Sequence, residues 1–66
     1  MLITLNGQPH EVELHTNIID LLKKLQLQNQ RLAVEVNKQV IVRSMHAQVT
    51  LTEGDQVEII QAVGGG

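Results

Sequence analysis

Asn17-Ile18-Ile19-Asp20-Leu21-Leu22-Lys23-Lys24-Leu25 is the stretch whose reading decides the fold. Ile18, Leu21, Leu22 and Leu25 recur at i, i+3, i+4 and i+7, the spacing that places side chains on one stripe of a helix. Asn17 is a good N-cap, and Asp20 sets negative charge in the first turn, where free N–H groups point. Lys23 and Lys24 lie off the stripe and late in the helix, where cations suit the dipole. The helix is expected to end by about Leu27, with residues 28–31 as the connection. No other segment has this period at useful length. One helix with one apolar stripe must find a sheet to cover.

The strands lie on either side. Leu2 to Leu5 runs into Asn6-Gly7, a pair that readily takes the positive φ angles of a tight hairpin turn. The returning strand reads as His10 to Leu14, with Val12 and Leu14 inward and Glu11 and Glu13 outward. Pro9 stands at its start, where a missing N–H is tolerated. Beyond the helix, Leu32 to Val36 and Gln39 to Val42 flank a two-residue turn, Asn37-Lys38. That turn places Glu35 opposite Val40 and Val34 opposite Ile41, so Glu35 and Val40 share the solvent face. Residues 44–48 show no clear period and predict a short helical turn with Met45 as its packing residue. Thr52-Glu53-Gly54-Asp55 is a turn. Gln56 to Gln61 is the last strand, with Val57 and Ile59 on one face and Glu58, Ile60 and Ala62 on the other. The order strand, strand, helix, strand, strand, strand predicts an α+β fold of β-grasp type. A mixed sheet of four to five strands has one main helix on one face, and the first and last strands lie parallel at its centre, joined by a right-handed crossover.

Composition narrows the function. Sixty-six residues make one small domain, which buries only about 60% of its unfolded surface. There is no cysteine and no aromatic residue, so no disulfide or thiolate site exists and the core is aliphatic. Five basic residues are scattered against seven acidic ones, a net charge of −2, which argues against a nucleic-acid partner. No apolar run reaches the length of a membrane span, and no signal peptide is apparent. A cytoplasmic protein is expected. His10, His15 and His46 are not spaced as ligands on a helix face and read as surface or loop residues, so no metal is expected. The seven carboxylates offer no convincing catalytic pair. The glycine run has no following helix to cradle a phosphate. An enzyme with its own pocket is not indicated.

The chain closes on Gly64-Gly65-Gly66. Glycine packs nothing and loses most freedom on ordering. The run is either a frayed end or an arm whose chemistry lies in the α-carboxylate of Gly66. The predicted division is a domain over residues 1–63 and a flexible tail over 64–66. The outer face near Val40, Ile60 and Ala62 is apolar on the side of the sheet the helix leaves bare, and reads as a partner-docking surface beside that tail.

Several stretches carry a resemblance. They are Ile3 with Asn6-Gly7, Ile18 to Leu22, Leu32-Ala33-Val34-Glu35-Val36-Asn37 and Val40-Ile41-Val42-Arg43. They continue with Leu51-Thr52-Glu53-Gly54-Asp55-Gln56-Val57-Glu58-Ile59 and Val63-Gly64-Gly65-Gly66. Together these resemble the ThiS family of sulfur carriers in thiamine biosynthesis, within the β-grasp group that includes ubiquitin and the molybdopterin-synthase small subunit. Val42 departs from the pattern, since family members often have proline before the arginine. The resemblance implies a protein substrate rather than a catalyst. A ThiF-like adenylyltransferase would use ATP and magnesium to adenylate the Gly66 carboxylate, with no cofactor bound by the carrier itself. Sulfur from a cysteine desulfurase would make a thiocarboxylate there, and thiazole synthase would accept that sulfur. Gly64 and Gly65 would form the arm that threads into partner sites. A carrier for molybdopterin or another sulfur-transfer pathway, and a ubiquitin-like modifier, are the alternatives.

Overall fold

A computed structural model describes residues 1–61 of the chain. The strands are β1 (Leu2–Leu5), β2 (Gln8–Glu11), β3 (Leu32–Val36), β4 (Gln39–Ile41) and β5 (Gln56–Gln61); the helix is α1 (Ile18–Lys24), and a short 3-10 turn covers Arg43–Met45. They form one sheet in the order β2-β1-β5-β3-β4. β1 and β5 run parallel at its centre, and the other neighbours are antiparallel. This is the β-grasp arrangement expected from the order of elements.

Both tight turns follow from their residues. Asn6 and Gly7 have φ of 49° and 81°, and Asn37 and Lys38 have 52° and 71°. Two consecutive positive φ values match the right-handed twist of the strands they join. The second turn sets the register Val34↔Ile41 and Glu35↔Val40, as its two-residue length requires.

The helix starts where its cap predicts. The Asn17 side-chain oxygen accepts from the Asp20 N–H at 2.7 Å, and its amide donates to the Ala47 carbonyl at 3.2 Å. At the other end Gln26 takes φ 61°. The Leu27 N–H reaches the Leu22 carbonyl at 2.8 Å and the Gln26 N–H reaches Lys23 at 3.0 Å. That paired closure satisfies two of the last carbonyls. Ile18, Leu21 and Leu22 are buried against Ile3, Val34, Val36, Leu51, Val57 and Ile59. The aliphatic core is thus one layer between helix and sheet.

Three expectations are corrected. The second strand is Gln8–Glu11, not residues 10–14. A two-residue turn closing Leu5 onto Gln8 forces pairing to begin at Gln8. Pro9 therefore lies within the strand, opposite Thr4; β2 is an edge strand, so its missing N–H breaks no ladder. Val12 is buried as expected, but Leu14 is 69% exposed. The chain turns there, with His15 at φ 67°, so the alternation stops before Leu14 can point inward. Near the 3-10 turn the packing residue is His46, 3% exposed, while Met45 is 42% exposed. The His46 Nε2 lies 2.9 Å from the Ile41 carbonyl oxygen, which meets the polar demand of a buried ring. A single turn has no period from which to read its inner side.

Candidate functional site

The expected reactive group, the Gly66 carboxylate, lies outside the described residues, as do Gly64, Gly65 and Ala62. The proposed boundary between residues 63 and 64 lies there too. The structure does define the platform from which that segment leaves.

β5 is the platform. It is central, paired to β1 on one edge and to β3 on the other. On the β3 side the ladder runs to the end of the described strand, Leu32↔Gln61. On the β1 side it stops at Leu5↔Val57, because β1 turns away at Asn6. The Asn6 side chain takes over. Its oxygen accepts from the Ile59 N–H at 2.8 Å and its amide donates to the Ile59 carbonyl at 3.4 Å. An asparagine thus stands in for one more residue of strand and keeps the buried backbone of Ile59 satisfied.

The other end of β5 is fixed in the same way. Asp55 is 9% exposed. Its carboxylate accepts from the Thr52 N–H at 2.8 Å, the Thr52 hydroxyl at 3.0 Å and the Asn37 amide at 3.0 Å. The Asn37 oxygen accepts from the Gln56 N–H at 3.0 Å. Gly54, at φ 85°, supplies the left-handed backbone of the same turn. The Glu-Gly-Asp stretch is therefore an anchor that aims the last strand, and its acid is structural.

Alternation along β5 divides its side chains. Val57 and Ile59 are 1% and 9% exposed, while Ile60 is 55% exposed. Val40 on β4 is 64% exposed. Ile60 stands opposite Ala33 and Glu58 opposite Glu35, which in turn faces Val40. The bare face thus carries a row Val40, Glu35, Glu58 and a neighbouring row Ala33, Ile60. Val42, 58% exposed, extends the apolar surface just beyond β4. Arg31, Leu32, Ala33, Ile60 and Gln61 line a depression at the end of β5. Thr4, Gly7, Glu35, Lys38, Gln56 and Glu58 line a second.

Sequence reasoning placed Val40 and Ile60 on this face but missed Ala33, Val42 and the facing of Glu35 with Glu58. The β3–β5 register is set by long-range pairing, and no turn joins those strands to reveal it. Among the described residues, no three His, Asp or Glu side chains are placed to hold a metal ion. No described helix is long and apolar enough to cross a membrane.

Comparison with known proteins agrees with this architecture. The ThiS family model matches residues 3–66. The chain is 38% identical to the sulfur carrier protein ThiS of Bacillus subtilis, over 98% of this chain and all of that one. It superposes on the crystal structure of the thiamine biosynthesis protein ThiS from Geobacter metallireducens with a TM-score of 0.86, at 35% identity and full coverage of both chains. The whole chain also matches a thiazole synthase of Magnetococcus marinus at 42% identity and one of Paramagnetospirillum magneticum at 32%, but spans only 20% of the length of each. Fold, full-length coverage and sequence all point the same way: this chain belongs to the ThiS family.

Proposed function

We propose that this chain is the sulfur carrier of thiamine biosynthesis, a protein substrate whose Gly66 carboxylate is activated and loaded by partners. The observation that carries the reading is that the family match extends through Gly66 itself, five residues past the last described strand residue, Gln61.

The chemistry requires such a carrier. An α-carboxylate is ionised at neutral pH, with a pKa of about 3.5, and is a poor electrophile. Adenylation by a ThiF-like adenylyltransferase, with ATP and magnesium, attaches AMP as a leaving group. A persulfide sulfur supplied through a cysteine desulfurase would displace AMP to give an acyl disulfide, and a thiol would then reduce its S–S bond, leaving the thiocarboxylate on Gly66 and a disulfide as the other product. Thiazole synthase accepts that sulfur. Two relatives named thiazole synthase contain a stretch similar to the whole of this chain, which supports the pairing of carrier with acceptor. No reaction is assigned to the carrier's own side chains, and its working place is the cytoplasm.

The adenylate must be kept from water, so the end of the chain must enter a narrow site. Residues 62–66 reach at most roughly 18 Å when extended. The side chains that glycine lacks are what allow entry at Gly64, Gly65 and Gly66. The face bearing Val40 and Ile60 docks the partner, with Ala62 expected to add to it, and offsets the ordering of the arm, which costs roughly 1–2 kcal/mol per glycine.

Deleting Gly66, or replacing Gly65→Ala, abolishes thiocarboxylate formation while the far-ultraviolet circular dichroism stays that of the parent. A sulfur-loaded product from either variant would refute the reading.

A further inference from the structure

We propose that Glu35 and Glu58 together form a receptor for one arginine or lysine side chain of the protein that docks on the bare sheet face. The proposal rests on the reading of that face as a docking surface and names the chemistry of its partner.

The two glutamates stand directly opposite each other across β3 and β5. Side chains so placed have Cβ atoms about 5 Å apart, and like charges there are unfavourable. Neither carboxylate has an ion-pair or hydrogen-bond partner among the described residues. Lys38 lines the same depression, yet lies beyond 4.0 Å of both. The strand could have carried a neutral polar residue at either position at no cost to the core, because both side chains point away from it.

The surroundings explain what such a pair is good for. Val40 flanks Glu35 on one side, and Ile60 follows two residues after Glu58 on the same face. Both are more than half exposed. A partner covering them excludes water from the carboxylates between them, and a desolvated anionic pair then demands a cation. A guanidinium suits the geometry best, since its planar fork can donate to two carboxylates at once. The apolar rim supplies area and the acid pair supplies register and selectivity. A partner whose docking surface is apolar but uncharged, or acidic, is rejected.

The test measures association of the full chain with a ThiF-like adenylyltransferase by calorimetry at low and high salt. The variants are Glu35→Gln, Glu58→Gln, Glu58→Lys, Lys38→Gln and Ile60→Asp. Glu35→Gln and Glu58→Gln are each expected to weaken association about tenfold and to flatten its salt dependence, while their thermal midpoints match or exceed the parent's. Glu58→Lys weakens it further, and Lys38→Gln stays within about twofold. Parent-like affinity and salt dependence in both glutamine variants overturn the receptor. If Ile60→Asp still weakens binding in that case, the docking face stands without it; if Ile60→Asp is also silent, the docking reading itself falls. Magnesium ion bound by the carrier alone, and lost in both glutamine variants, would assign the pair to a metal and overturn the proposal as well.

Discussion

Ile59 and Ile60 are neighbours of identical chemistry on one strand, and they live on opposite sides of it. Ile59 faces the helix and is 9% exposed; Ile60 faces away and is 55% exposed. The same division runs through β3, where Val34 and Val36 enter the core and Ala33 and Glu35 do not. The inner face consists of aliphatic side chains that satisfy one another. On the outer face, apolar residues stay wet and like charges stay opposed. The inner face is explained by folding, and the outer face is not. That difference is what makes the outer face the place to look for partners.

The largest effect expected separates the two isoleucines. Ile59→Ala should destabilise the domain by about 2–4 kcal/mol, the range for truncating a buried aliphatic residue. Ile60→Ala should change stability by under about 0.5 kcal/mol, as surface substitutions do. Urea midpoints measured side by side decide it, and equal losses would break the comparison. Asp55→Ala comes next. It strips three hydrogen bonds from a nearly buried turn and should cost about 1–3 kcal/mol, although its sequence context suggests only a surface loop. A loss below a few tenths would show that the turn does not depend on its acid.

The smallest expected effect has the opposite sign. Gln26 closes the helix with φ 61°, a conformation that disfavours side chains and suits glycine. Gln26→Gly should stabilise by about 0.5–1 kcal/mol, read as a raised thermal midpoint. Because residue 26 lies on the helix side, partner association should stay unchanged. A change in that association would blur the division between faces.

Much of this was legible because the signals are local. Asn6-Gly7 and Asn37-Lys38 specify hairpins through their own φ preferences, and Asn17 with Ile18, Leu21 and Leu22 specifies a capped amphipathic helix. From these the order of elements follows, and a single helix leaves no other sheet to cover. The failures share a cause as well. Leu14 continues a period that the chain abandons at a turn, so alternation alone misplaces it. Met45 and His46 sit in one short turn, where the backbone decides which side chain goes inward. Glu35 and Glu58 are distant in sequence, and only the β3–β5 pairing sets them face to face. Asn6 looks like a turn residue, and is one, but its side-chain bonds to Ile59 depend on where β1 ends.

The role proposed for this domain is to present the Gly66 carboxyl carbon to an activating partner. Intact-mass measurement after incubation with ATP, magnesium, a ThiF-like adenylyltransferase and a cysteine desulfurase with cysteine tests it most directly. The expected result is a mass increase equal to one oxygen-for-sulfur exchange, localised to Gly66 and absent when ATP is withheld. An unchanged mass with a demonstrably active partner, or a sulfur bound anywhere else on the chain, would contradict it.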